Sequence, residues 1–491
     1  ERCLMDLKNK AIIDRFNPGE DDFSSNLKIP QRLYGRNEQV TQLLNIFSKI
    51  SAGKSSLVLV AGYSGIGKTS LVNEIQKPIT ECRGYFISGK FDQFQRDIPY
   101  SALIKAFQEL VRQILSQSKD KLEIWKNRIN EALAPNAQVI VDVIAGLELI
   151  IGKQPAVDVI QPAEALNRFN TYFRKFVDVF ATRDHPLALF LDDPQWADNA
   201  SLDLIKALVT DKARKYLLLI GAYRDNEVTK AHPLMLTLDA CREQKALIET
   251  ITLNNLTLAD INQLVADSTH QSENQTLKLS DLVLVKTGGN PFFAKEFLIN
   301  LYQKELLHFN SKTGTWEWSI DQIRQQRLSD NVVDLMTKKI NDLPGKTQEL
   351  LKYASCIGSR FNIGTLALAS KNSIFKTADD LWPAVKTELV MPEDENYRFI
   401  MYEQKSAVSS EGLIVNYCFQ HDRIQHAAEE LLTQNEKEAI HLKIGRLMLR
   451  KMNDNAELLM EVVSHMNLGR SLINTTEEKQ DLARLNLKAG L

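Results

Sequence analysis

The sequence predicts an α/β protein: a parallel sheet of about five strands with helices on both faces, then a helical lid, a winged-helix domain and an all-helical C-terminal tail. Three observations predict it. Near-continuous apolar runs at 57–61, 84–88, 187–191, 216–223 and 247–253 alternate with helical patterns, as the strands of a parallel sheet covered on both faces do. The first run ends in a glycine-rich turn over 62–69 that opens onto a helical pattern, Ser70-Leu71-Val72-Asn73-Glu74-Ile75. After Leu253 the strands stop and helical spacing takes over, until short strands return at 389–391, 397–402 and 413–419.

Taken in order, residues 1–30 read as a short helical piece and a polar linker, Asn17-Pro18-Gly19-Glu20-Asp21-Asp22. The α/β core spans 31–255. Between its second and third strands lies a long helical insert, 101–179, whose apolar run at 139–151 reads as a buried helix. Thr257 then caps a helix with Asp260 three positions on, and Leu258, Ile261, Leu264 and Val265 form its apolar face. This opens the helical lid, 256–330. Over 331–432, apolar residues at helical spacing (Leu350, Leu351, Ala354) precede two or three short strands, the order of a winged helix. Residues 433–491 read as packed helices, the first pairs of a repeat-like array.

Bulk properties narrow the class. A chain of 491 residues implies two to four domains. With 60 basic and 62 acidic residues the net charge is −2, which leaves no electrostatic footprint for nucleic acid or an anionic membrane, so neither is an expected partner. Cys3, Cys82, Cys241, Cys356 and Cys418 show no paired spacing and read as reduced thiols of a cytoplasmic protein. Asp142 and Glu148 interrupt the longest apolar run, so no direct membrane insertion is expected. No signal peptide opens the chain, and Glu1 stands where a Met would; the chain reads as a piece of a longer polypeptide.

The chemistry concentrates at strand ends. Gly62-Tyr63-Ser64-Gly65-Ile66-Gly67-Lys68-Thr69 fits G-x-x-x-x-G-K-[ST], the phosphate-binding P-loop, between a strand and a helix as the motif requires. Its glycines let backbone N–H groups, from Gly62, Ser64, Gly65, Ile66 and Gly67 through Ser70, curl around phosphates at a helix N-terminus. Lys68 should reach the β- and γ-phosphates and the Thr69 hydroxyl should ligate Mg²⁺. The third strand ends in two carboxylates: Asp192 completes the Mg²⁺ shell and Asp193 polarises an attacking water. The fourth strand ends in Arg224, either a γ-phosphate contact or a surface arginine paired with Asp225 or Glu227. The pattern is that of an ATP- or ADP-binding, Mg²⁺-dependent ATPase.

Further stretches point to a family: Leu33-Tyr34-Gly35-Arg36, Gly89-Lys90-Phe91-Asp92-Gln93-Phe94-Gln95-Arg96, Leu191-Asp192-Asp193-Pro194-Gln195-Trp196-Ala197-Asp198, Gly221-Ala222-Tyr223-Arg224-Asp225-Asn226-Glu227-Val228 and Gly289-Asn290-Pro291-Phe292-Phe293. Together with the P-loop they make the chain resemble the STAND ATPases, signal-transduction ATPases with numerous domains related to AAA+ proteins. More narrowly, it resembles the central ATPase module of large bacterial proteins that join a Ser/Thr-kinase domain, this module and a sensor histidine kinase. The resemblance implies that Tyr34, Gly35 and Arg36 lie near the adenine and that Pro291 packs against it. It implies that His421, in Tyr417-Cys418-Phe419-Gln420-His421-Asp422, senses the β-phosphate of ADP. Gln39 stands where the family usually has Glu, and Pro194 where a leucine is more usual.

The resemblance further implies a slow ATPase acting as a regulatory switch, with other domains of the parent chain as partners and nucleotide-dependent self-association. No His-Arg-Asp or Asp-Phe-Gly motif occurs, so kinase activity would belong to domains outside this chain. Three alternatives stand beside the switch. They are a ring-type AAA+ remodelling motor with Arg242 as its trans-acting arginine, a winged-helix transcription regulator, and a scaffold that binds nucleotide without cleaving it.

Overall fold

The computed structural model describes residues 26–92, 98–158, 160–325, 332–393, 396–398, 415–451 and 456–490. The opening helical piece and its linker, Cys3 and the 93–96 end of the Gly89 stretch lie outside the described residues. Contacts divide the chain into two compact units: 1–35 with 255–330, and 36–254 with 331–491.

The larger unit is built on five parallel strands: β1 Ser56–Ala61, β2 Tyr85–Lys90, β3 Leu187–Asp192, β4 Leu217–Tyr223 and β5 Ile248–Thr252. Their order across the sheet is β2-β3-β4-β1-β5. All five expected strands are present. Every residue of the central β4 is buried, which is why its sequence is a continuous apolar run. The register pairs Lys90 with Asp192, Asp192 with Ala222, and Ala61 with Tyr223. The C-terminal ends of four strands therefore finish at one level, the edge where open α/β sheets bind ligands.

Helices α1 Asn37–Ser51, α2 Lys68–Asn73 and α3 Gln76–Glu81 surround the first strands. The insert between β2 and β3 forms α4 Ser101–Leu115, α5 Lys119–Leu133, α6 Gln138–Val141, α7 Leu147–Ile151 and α8 Pro162–Phe180. Phe107, Phe173, Phe176 and Phe180 are fully buried there, in edge-to-face and tilted contacts with one another. The 139–151 run is not one helix. It divides into α6 and α7 because Gly146, at φ +83°, breaks the backbone between them, and Leu149 is left exposed. The close of β2 is tightly constrained: a side chain at Gly89 would lie 2.0 Å from the Ala102 carbonyl oxygen, so only glycine lets α4 cross there.

The second part of this unit holds α9 Asn199–Thr210 and α10 Pro233–Glu243 of the core. It continues through α15 Val332–Asn341, α16 Gly345–Ile357, α17 Ile363–Ser370 and α18 Ile374–Lys386 (numbered after the helices of the smaller unit given below). A three-stranded antiparallel sheet accompanies them, in the order β8-β10-β9: β8 Arg360–Asn362, β9 Val390–Pro392 and β10 Asn416–Phe419. The expected strand at 397–402 is corrected. Tyr397 and Arg398 are helical, Tyr397 stacks its ring on Trp382, and 399–402 lie outside the described residues. The third strand is instead β8, too short to show alternation. After β10 come α19 Asp422–Glu430, α20 Gln434–Lys451, α21 Ala456–Leu468 and α22 Thr476–Gly490.

In the smaller unit, α11 Leu258–Thr269, α12 Glu273–Thr287 and α13 Pro291–Gln303 enclose Ile261, Leu264, Val265, Leu279, Val283, Phe297 and Leu301. The Thr257–Asp260 capping box is present as expected, and Ser272 with Gln275 forms a second. One expectation fails here. Strands do not stop after Leu253: β6 Leu307–Asn310 and β7 Thr315–Trp318 form an antiparallel hairpin, followed by α14 Ile320–Gln325. Buried Trp316 anchors it against the helices. Among the described residues no helix is long and apolar enough to cross a membrane.

Candidate functional site

The glycine loop leaves β1 and enters α2. Gly62, Gly65 and Gly67 adopt positive φ of 153°, 80° and 97°. A Cβ at Gly62 would lie 2.8 Å from the Leu253 carbonyl, so the turn tolerates no side chain there. Lys68 is buried, and its Nζ donates to the carbonyls of Gly62 at 2.7 Å and Tyr63 at 2.9 Å. Burial pushes its pKa down against the pull of Asp193 and Asp192. Arg36 ties the loop to the end of β5, donating to Asn254 O at 2.6 Å and Ile66 O at 3.4 Å.

The Thr69 hydroxyl donates to Asp192 Oδ2 at 3.3 Å. A hydroxyl and a carboxylate brought together at the foot of an anion-binding loop are the oxygen donors that suit Mg²⁺, so these residues fit that ion. Ser64 is buried in the loop, and Ser70 follows Thr69 in the first turn of α2.

Asp193, one residue beyond β3, takes a left-handed backbone at φ 54° and is 3% exposed. Its Oδ1 accepts from Gln195 Nε2 at 2.8 Å and Arg224 Nε at 3.2 Å. Its Oδ2 lies 3.5 Å from both Arg224 Nη2 and Lys90 Nζ. Burial, then the charges of Asp192 and Asp422, push its pKa up to about 7 against Lys90 and Arg224. The Gln195 Oε1 is buried with no hydrogen-bond partner among the described residues.

Arg224 is not a surface arginine. It is 8% exposed, its guanidinium lies 4.5 Å above the Trp196 ring, and three carboxylates hold it. Besides Asp193, Nη1 donates to Glu227 at 2.9 Å and Nη2 to Asp422 Oδ2 at 2.6 Å. Asp422 also accepts from Lys90 Nζ at 2.5 Å. Burial opposes the charge on Asp422, but Lys90, His421 and Arg224 hold its carboxyl well below the usual range. Two residues beyond Lys90 and the end of β2, Asp92 Oδ2 accepts the Ser359 N–H at 3.2 Å, just before β8. Sequence reasoning quoted Lys90 and Asp422 inside motifs but gave neither a role.

His421 is the N-cap of α19: its Nδ1 accepts the Arg423 N–H at 3.1 Å. Burial pushes its pKa down to about 4, so the ring is neutral near pH 7. Three expected site residues belong to the smaller unit. Tyr34 is buried there and donates to Asp267 Oδ2 at 2.9 Å. Gly35 turns at φ +63° beside the Asp260 carboxylate. Pro291 is the first residue of α13, whose cap is Asn290.

This loop, this acidic strand end and this strand order define a P-loop ATPase fold. Residues 32–220 match the AAA ATPase domain family. The chain aligns over 99% of its length, at 31% identity, with Hybrid signal transduction histidine kinase G of Dictyostelium discoideum. It aligns over 74% of its length, at 21% identity, with the peroxide stress-activated histidine kinase mak3 of Schizosaccharomyces pombe. The chain spans 17% of the length of each of these relatives. A solved STAND protein with a tetratricopeptide-repeat sensor from Pyrococcus horikoshii is similar at 12% identity and a TM-score of 0.46, covering 95% of this chain and 52% of that one. Cdc6p from Pyrobaculum aerophilum is similar at 14% identity and a TM-score of 0.35, covering 85% of this chain and 99% of its own. Residues 32–220 thus carry an AAA-type P-loop ATPase domain, in a stretch of sequence similar to part of much longer signalling histidine kinases.

Proposed function

We propose that this chain is the nucleotide-dependent switch of a signalling kinase. ATP binds on the 62–69 loop and is hydrolysed slowly, and the bound nucleotide decides whether the start of α19 stays docked on the strand ends. One observation carries this reading: Asp422 of α19 shares Lys90 and Arg224 with Asp193, the carboxylate assigned here to activate water. Thr69 and Asp192 would hold Mg²⁺, which supplies neutralising charge to the phosphates. In hydrolysis the water oxygen bonds to the γ-phosphorus and its proton passes to Asp193. The bond to the bridging oxygen breaks, leaving its electron pair on ADP. The orphaned Gln195 Oε1 offers that water a second acceptor.

The docked arrangement supports the reading of slow turnover. Both oxygens of Asp193 already face donors, so the carboxylate is engaged before any water arrives. Withdrawal of Asp422 would release Arg224 toward the developing charge on the γ-phosphate. The partners are other domains of the parent kinase, with self-association in the ATP state.

The test is the nucleotide content of the purified chain, read by chromatography of the denatured supernatant. Retained ADP is expected. Lys68→Ala should weaken ATP binding on the order of 100-fold, since it removes a buried charge-assisted contact to phosphate. A chain that purifies empty, and a Lys68→Ala variant that binds ATP normally, would together overturn the reading.

A further inference from the structure

We infer that Lys90 is a positioning residue for ATP hydrolysis, and that Asp422 competes with Asp193 for it. This rests on the switch proposed above and assigns a second job to a residue that otherwise looks like one half of a latch. Lys90 is the last residue of β2, in register with Asp192 one strand away. Its backbone has little freedom, because the preceding Gly89 lies directly beneath the Ala102 carbonyl. The ammonium is thus delivered from a fixed point. From there it reaches Asp422 Oδ1 at 2.5 Å and Asp193 Oδ2 at 3.5 Å.

The two distances set the order of preference. At a common dielectric the closer carboxylate attracts more strongly, so with α19 docked the charge of Lys90 is spent chiefly on Asp422. Arg224 shows the same bias, with Asp422 at 2.6 Å and Asp193 at 3.2 Å. Once Asp422 withdraws, Asp193 is the carboxylate in ion-pair distance of Lys90 among the described residues, with the charge of Asp192 also acting on it, and Asp193 is the one that takes the proton from water. Lys90 then holds Asp193 Oδ2 in place and leaves the aspartate oriented for in-line attack.

A latch and a positioning residue give opposite results on substitution. If Lys90 only held Asp422, Lys90→Met and Asp422→Asn would both open the site and both raise turnover. The experiment therefore measures steady-state ATP hydrolysis by the full chain in an Asp422→Asn background, where the latch is already open. Adding Lys90→Met should lower kcat on the order of 10–100-fold with KM for ATP within about 2-fold, the size expected when an oriented group near the reacting atoms is lost. Lys90→Arg should restore most of the rate, since it returns the charge. An unchanged kcat, or a fall matched by lost ATP binding and not rescued by Arg, overturns the inference. Should the Met variant not fold, Lys90→Gln read the same way decides it. Asp422→Asn compared with the unsubstituted chain reads the switch separately: no gain in turnover there sinks the latch, whatever Lys90 does.

Discussion

His421 and Asp422 sit side by side and do different physical work. His421 is a neutral cap that starts α19, and Asp422 is the charge that reaches the strand ends. Replacing His421 by Ala should therefore cost about 1 kcal/mol of stability in urea denaturation, and His421→Asn, a good cap, should recover most of it. If ADP retention also survives in the Asn variant, the ring acts as a cap; loss of ADP there would instead mark a nucleotide contact. At this scale the sequence was most legible where function is local. Gly62 to Thr69 is one contiguous motif, and Asp192, Asp193 and Arg224 each follow a long apolar strand. Lys90 and Asp422 were invisible as a pair because they are 332 positions apart, and only the folded sheet end brings them together.

Among the elements, α20 and α21 carry a pair that responds to pH. His441 Nδ1 and His465 Nδ1 are 2.9 Å apart and buried, so one ring must donate to the other. Burial lowers their pKa values to about 4 and about 3, with His441 adding to the fall at His465. Because the folded values lie below the unfolded value near 6.5, the unfolded chain binds more protons between them. The stability from neutral rings is full above about pH 6.5 and is lost as pH falls toward 4. Between pH 7.5 and 5 the loss should be at most about 2 kcal/mol per ring. It would be read as a falling urea midpoint, and a His441→Leu/His465→Leu double variant should flatten that part of the profile. Element lengths also explain what the sequence concealed. Strands β6 and β7 have four residues each and β8 three, too few to establish a period of two. The 139–151 run looked like one helix because its apolar character is continuous, whereas Gly146 divides it.

For the molecule as a whole, the proposed switch would make docking of α19 depend on what occupies the loop. Backbone hydrogen exchange over 422–430 should be slower by roughly 10-fold with ADP than with a non-hydrolysable ATP analogue, a difference of about 1.4 kcal/mol in local opening. The change should vanish in Asp422→Asn; equal protection in both nucleotide states would count against the switch. The relatives that share this stretch are far longer chains, and on the proposed switch such local release would give neighbouring domains a point at which to read the nucleotide.

The 332 positions between Lys90 and Asp422 also impose an order of assembly. At synthesis rates of roughly 5–20 residues per second, the ribosome needs roughly 20–60 s to travel from one to the other. In the later part of that interval, once Arg224 has followed Lys90 by 134 positions, the glycine loop, the acidic strand end and Arg224 all exist with no Asp422 to claim their cations. A newborn core that folds as it emerges meets cellular nucleotide first and its clasp last. On the proposed switch, each molecule would be loaded before it is locked, its first resting state set by the nucleotide it met during birth.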